Sequence, residues 1–100
     1  MYSIRFTTTA RKRFKKLPKE IQSRIIERLT EIRRDPFDEV KMLRTSNKTP
    51  IYSLRVGEYR VIMRIYKDKL VVLIIKVGHR STVYREIWFT VLPTYNSFES

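Results

Sequence analysis

Cysteine is absent from the 100 residues and histidine occurs once, at His79. A disulfide framework and a thiolate metal site are therefore excluded, and a lone imidazole cannot assemble an ordinary zinc ligand set, so no metal or other cofactor is expected. Cysteine-free composition fits a reducing cytoplasm. Glycine is confined to Gly57 and Gly78, which leaves no glycine-rich loop to cradle a nucleotide phosphate and no basis for a nucleotide hydrolase. A ribonuclease built on paired histidines is excluded as well. The longest apolar run, residues 70–75, falls far short of the roughly 20 residues that span a bilayer. Met1 leads directly into alternating residues without an apolar signal core, so the chain is expected to be neither exported nor embedded in a membrane.

Acidic residues are scarce. Ten Asp and Glu stand against 22 Lys and Arg, for a formal charge of +12, and a polyanionic partner is the natural inference. Residues 1–34 hold 11 of the basic and three of the acidic residues, so the first third supplies most of the field. The length suits one domain, and no repeat or low-complexity segment interrupts the pattern.

Tyr2, Ile4 and Phe6 alternate with Ser3, Arg5 and Thr7, which predicts a half-buried strand. The threonines at 7–9 suit an N-cap. Ala10, Phe14 and Leu17 follow at helical spacing among basic residues, until Pro18 forces a break. Ile21, Ile25, Leu29 and Ile32 make the apolar stripe of a second helix, expected to run to Asp35-Pro36. Residues 36–50 lack periodicity and read as a connecting loop. Three strands are predicted at 51–56, 59–66 and 70–77, joined by Gly57-Glu58 and by Lys67-Asp68-Lys69 as antiparallel hairpins. The third is apolar on both faces, which places it inside the sheet. The second sends Val61, Met63 and Ile65 to a core face and Arg60, Ile62, Arg64 and Tyr66 to a cationic face. After Gly78, Ser81 and Thr82 are possible caps for a short helical turn on which Arg80 and Tyr84 share a face. The expected fold is α+β, with an N-terminal strand and a helical hairpin packed on a small antiparallel sheet in the order β-α-α-β-β-β. Residues 1–86 would form the domain and 87–100 a C-terminal tail in which no pattern assigns a structure.

Arg55, Arg60, Arg64, His79, Arg80 and Tyr84 cluster in the second half. RNA cleavage requires a deprotonated 2′-hydroxyl, neutralisation of the extra charge on a pentavalent phosphorane, and protonation of the 5′-oxygen leaving group. Guanidinium groups suit the second task because they are planar, permanently charged and bidentate toward phosphate. His79 is the side chain whose type titrates near neutrality. A tyrosine such as Tyr84, with an ordinary pKa of about 10, acts as a base only where arginines lower it.

Residues 52–66, YSLRVGEYRVIMRIY, followed by residues 77–84, VGHRSTVY, resemble the RelE/ParE toxin superfamily in their leucine-arginine, glycine-tyrosine-arginine and glycine-histidine-arginine-to-tyrosine signatures. The order of elements agrees along residues 1–86. The resemblance implies a RelE-like fold and a type II toxin that enters the ribosomal A site. There it would cleave mRNA by 2′-hydroxyl attack, leaving a 2′,3′-cyclic phosphate without a metal. It further implies a RelB-like antitoxin, in a toxin–antitoxin heterotetramer, that occludes the basic face. By position, Arg60 matches the family's transition-state arginine, Arg80 the arginine that assists the leaving group, and Tyr84 the tyrosine that orients or deprotonates the 2′-hydroxyl. Where well-studied members carry lysines before the glycine turn, this chain has Ile51 and Ser53; His79 and Lys48 are the candidates to compensate.

Each of these residues has a plainer reading. Arg60 and Arg80 can be solvated surface charges, Tyr84 a packed ring, and His79 a backbone hydrogen-bonding group. Arg55 and Arg64 fit phosphate-backbone binding better than chemistry. Lys41, Arg44 and Lys48 in the connecting segment, and Arg11, Lys12 and Lys15 on the first helix, are candidate contacts to RNA or the ribosome. Two alternatives keep the fold and change the function: a ParE-like inhibitor of DNA gyrase, and a basic nucleic-acid-binding module without catalysis.

Overall fold

The computed structural model describes residues 1–43 and 50–83. Strand β1 (Ser3–Phe6) is followed by helices α1 (Thr8–Lys15) and α2 (Lys19–Glu31), then by strands β2 (Lys41–Leu43), β3 (Ile51–Val56), β4 (Tyr59–Tyr66) and β5 (Val71–His79). The architecture is α+β: a five-stranded sheet in the order β1-β5-β4-β3-β2 with a helical layer on one face.

The helices begin and end where local chemistry requires. Thr7 adopts an extended conformation and its Oγ1 accepts from Ala10 N–H at 3.1 Å, capping α1. Pro18 separates the helices as expected and occupies the N-cap position of α2. Gln22 reaches back from α2 to donate to the carbonyl of Leu17 at 2.8 Å, satisfying an acceptor at the bend. Helix α2 ends at Glu31, before the predicted stop at Asp35-Pro36. The reason is tertiary: the Arg33 carbonyl accepts from Tyr2 N–H, and Arg33 Nε donates to the Tyr2 carbonyl, both at 2.9 Å. Those contacts turn the chain and moor the start of β1.

The main core lies between the helices and the sheet. Ala10, Ile25, Leu29 and Ile32 from the helical side pack on Leu54, Val56, Val61, Met63, Val72, Ile74 and Val77. All three predicted strands form. β1 joins the sheet through a parallel pairing with β5, Ile4 opposite Val72 and Phe6 opposite Ile74, so the sheet is mixed where an antiparallel one was expected. The β3–β4 hairpin turns through Gly57 and Glu58, with Gly57 at φ +60°, a conformation glycine adopts without steric cost.

Three local expectations are corrected. The segment 36–50 is not wholly a loop, because β2 pairs antiparallel with β3, Lys41 opposite Ser53 and Leu43 opposite Ile51. Three residues are too short to show a period, and this strand exists only through its partner. Second, β5 starts at Val71 and not at Leu70, which sits in the turn at φ +52°. Third, the face of β4 opposite the helices is not purely cationic: Ile62 is fully buried there with Ile51 and Val83, and Leu43 and Ile75 pack against them. The domain boundary expected at 86/87 lies outside the described residues.

A left-handed conformation costs an L-residue with a Cβ about 1 kcal/mol or more, and the Leu70 side chain is exposed at 46%, outside both cores. Leu70→Asn should therefore raise unfolding stability by about 0.5–1 kcal/mol, read from the urea midpoint at constant slope. A lowered midpoint would show that the leucine side chain contributes more than its backbone costs.

Candidate active site

The sheet face turned away from the helices carries the basic residues. On β4, alternation sends Val61 and Met63 into the main core and leaves Arg60, Ile62 and Arg64 on the opposite face. Register extends that face across the sheet: Arg60 stands opposite Arg55 on β3 and Gly78 on β5, Ser53 opposite Ile62 and Lys41, and Arg64 opposite Leu73, itself paired with Arg5. Two guanidinium groups directly across a strand pair, Arg55 and Arg60, repel one another. Such an arrangement loses less when an anion lies over it.

Lys76 also belongs to this face, and the alternation of β5 alone would have hidden it. Ile62 faces Lys76 while Met63 faces Ile74, so Ile75 is an extra residue, a β-bulge. With Val72 and Ile74 pointing to the helices, unbroken alternation would send Lys76 into the core. The bulge instead turns Val77 inward and Lys76 outward. Among the described residues, Lys76 and Arg5 are basic residues of this face that the sequence reading did not select. Arg64 lies further along β4, half-buried, and its Nε has no hydrogen-bond partner among the described residues.

At one end of the face, the β3–β4 turn gathers two of the candidate groups. Arg60 Nη1 donates to the carbonyls of Gly57 at 3.3 Å and Tyr59 at 3.2 Å. Arg80 Nε lies 2.9 Å from Glu58 Oε2, and Arg80 N–H donates to the Glu58 carbonyl at 2.8 Å. His79, opposite Tyr59, sets its ring edge-on to the tyrosine with centroids 5.6 Å apart. Arg60, His79 and Arg80 are thereby brought to one corner of the sheet.

The helical turn after β5 begins at Arg80. Ser81 and Thr82 were the expected caps; the cap is His79. Its Nδ1 accepts from Ser81 N–H at 3.2 Å, with Ser81 Oγ 2.9 Å away, the position at which a capping side chain reaches the second helical N–H. A backbone N–H can only donate, so Nδ1 is the acceptor in this contact.

A groove of about 410 Å³ runs beside this corner, lined by Asp38, Glu39, Val40, Lys41, Ser53, Arg55 and Arg60. Its acidic wall is held by Arg28, whose Nη1 contacts Glu31 at 2.8 Å and Glu39 at 3.0 Å. The hydrogen bond with Glu31, assisted by that with Glu39, raises the Arg28 pKa above its ordinary value. Arg11, Lys12 and Lys15 are exposed on α1, in the layer behind the sheet, and the structure does not bring them together with Arg60. Arg11 and Lys15 line a separate groove with Phe6, Phe14, Lys19 and Gln22. Arg44, Lys48 and Tyr84 lie outside the described residues. Among the described residues no three His, Asp or Glu side chains come together to hold a metal, and no helix is long and apolar enough to cross a membrane.

Comparison with known proteins agrees with this architecture. The profile of the family described as ParE toxin of type II toxin-antitoxin system, parDE, matches residues 4–84. Toxin RelG of Mycobacterium tuberculosis is 38% identical over 85 residues, covering 84% of this chain and 97% of RelG. The mRNA interferase toxin RelE of Escherichia coli is 31% identical over 87 residues, covering 85% and 92%. In three dimensions, the RelBE2 toxin-antitoxin complex of M. tuberculosis contains a chain that superposes with a TM-score of 0.71 at 38% identity, covering 79% of this chain and 98% of that one.

The cap makes a measurable difference. His79→Ala should destabilise the protein by about 1 kcal/mol, while His79→Asn, whose side-chain oxygen can accept the same N–H, should lose only a few tenths. Equal losses in chemical denaturation would show that the ring contributes through its contact with Tyr59 instead.

Proposed function

Given that the chain belongs to the RelE/ParE toxin family of type II toxin–antitoxin systems, we propose that it is a ribosome-dependent endoribonuclease that inhibits translation by cutting mRNA. The observation that carries this reading is the corner where Arg60 and Arg80 share one turn, at the end of a face bearing Arg55, Lys41, Lys76 and Arg64. Binding DNA gyrase as a protein surface gives no role to two arginines held at a single turn. Phosphoryl transfer does.

In the proposed reaction the 2′-oxygen attacks the adjacent phosphorus, the bond to the 5′-oxygen breaks, and the products are a 2′,3′-cyclic phosphate and a 5′-hydroxyl. Arg60 neutralises the charge that develops on the non-bridging oxygens. Arg80 offsets the charge on the departing 5′-oxygen, which takes up a proton from water to become the 5′-hydroxyl. The 2′-hydroxyl proton passes to Tyr84 in its phenolate form, while His79 acts as the cap that positions Arg80. Arg55, Lys41, Lys76 and Arg64 hold flanking phosphates, and Arg11, Lys12 and Lys15 contact ribosomal RNA from the helical side. The site of action is the cytoplasm, where mRNA is translated. Structures of relatives in complex with RelB support a RelB-like antitoxin as partner of this chain.

The match to the ParE toxin family favours one other reading, a ParE-like toxin. Primer extension on a reporter mRNA in a translating extract separates the two. Ribosome-dependent cuts within codons are expected for the wild type, lost by 10²-fold or more on Arg60→Ala or Arg80→Ala, the order associated with removing a group that stabilises transition-state charge. Intact mRNA together with blocked gyrase supercoiling would assign the protein to the ParE branch. Lys76→Ala should reduce by about one the slope of log affinity against log salt, as expected for one lost phosphate contact. An unchanged slope would remove Lys76 from the interface.

A further inference from the structure

Arg80 is held at three points. Its N–H donates to the Glu58 carbonyl at 2.8 Å, its Nε lies 2.9 Å from Glu58 Oε2, and the turn it opens is capped by His79. Two of the three contacts come from one residue. Glu58 occupies the second position of the Gly57-Glu58 turn, and the carbonyls on either side of it, those of Gly57 and Tyr59, accept from Arg60.

We infer that Glu58 is a positioning residue for the cleavage reaction, holding the Nε edge of Arg80 so that its remaining N–H donors are presented to the phosphate; this rests on the nuclease reading above. The Glu58 carboxylate, 2.9 Å from Nε, forms an ion pair with that edge of the rigid guanidinium and so restricts its orientation. The main-chain bond fixes the root of the same side chain. Both ends of Arg80 are thus referred to the turn that also anchors Arg60, so the spacing between the two arginines is set by one short hairpin. Glu58 and Arg80 are each more than half exposed, at 59% and 56% of side-chain surface, and an ion pair of that kind adds little to folding stability. Its consequence lies in orientation.

The alternative, that Glu58 restrains the toxin by competing with phosphate for Arg80, predicts the opposite sign. Kinetics on ribosomes programmed with a single mRNA decide between them. Glu58→Ala should lower kcat by about 10- to 100-fold, the range for a displaced reacting group, with KM changed by less than about threefold. Glu58→Asp, which keeps a carboxylate charge at the turn, should recover part of the rate. In an Arg80→Ala background Glu58→Ala should cause no further loss, because it acts through the missing side chain. All variants should melt within a few degrees of the wild type. Glu58→Ala cleaving as fast as or faster than wild type, or losses that multiply in the double variant, would overturn the assignment of Glu58 alone. Full activity in Arg80→Ala, or no cleavage by the wild type, would instead overturn the reading of the site on which it rests.

Discussion

The register of β4 against β5 is the constraint on which the rest of the molecule depends. Tyr59 opposite His79 and Arg60 opposite Gly78 bring the β3–β4 turn next to the start of the helical turn at Arg80. The bulge at Ile75 then lets β5 serve both faces. Ile74 and Val77, three residues apart, both enter the helix-facing core, while Lys76 turns to the basic face. A single residue's slip in this ladder would exchange core and solvent faces.

Around this ladder the protein divides its chemistry between two sides. The helix-facing side holds nearly all the fully buried aliphatic side chains, and their removal from water is the main favourable contribution to folding. The other side gathers like charges, including the directly opposed Arg55 and Arg60, around the small cluster of Ile51, Ile62 and Val83. Positive charge concentrated in this way opposes compactness and favours a polyanion. A toxin with the RNA target proposed here, and with relatives crystallised with a RelB antitoxin, fits a surface that is more comfortable covered than bare.

Much of the fold was legible from the chain alone, because it follows from periodicity and from proline and glycine. The stripe of Ile21, Ile25, Leu29 and Ile32, the break at Pro18, the cap at Thr7 and the hairpin at Gly57 were all visible as local patterns. What was not legible depends on partners distant in sequence. Strand β2 requires β3; the early end of α2 requires Tyr2; the outward turn of Lys76 requires a bulge. The same division holds at the candidate site. Arg60 and Arg80 were selected by motif and share one corner, but the residue joining them, Glu58, appeared only as a turn residue, since its role rests on a contact across 22 positions of sequence. His79 was selected by its titration range, and only the Ser81 contact identified it as a cap.

The central claim is that this basic face carries out 2′-hydroxyl attack on mRNA in the ribosome. The most direct test is to place a single 2′-deoxynucleotide immediately 5′ of the cut in an A-site mRNA, and to determine the product termini by mass spectrometry with the all-ribose control. The account predicts a 2′,3′-cyclic phosphate and a 5′-hydroxyl from the control, and an intact deoxy-substituted strand. Cleavage of the deoxy-substituted strand, or a 3′-hydroxyl end on the control product, would contradict it.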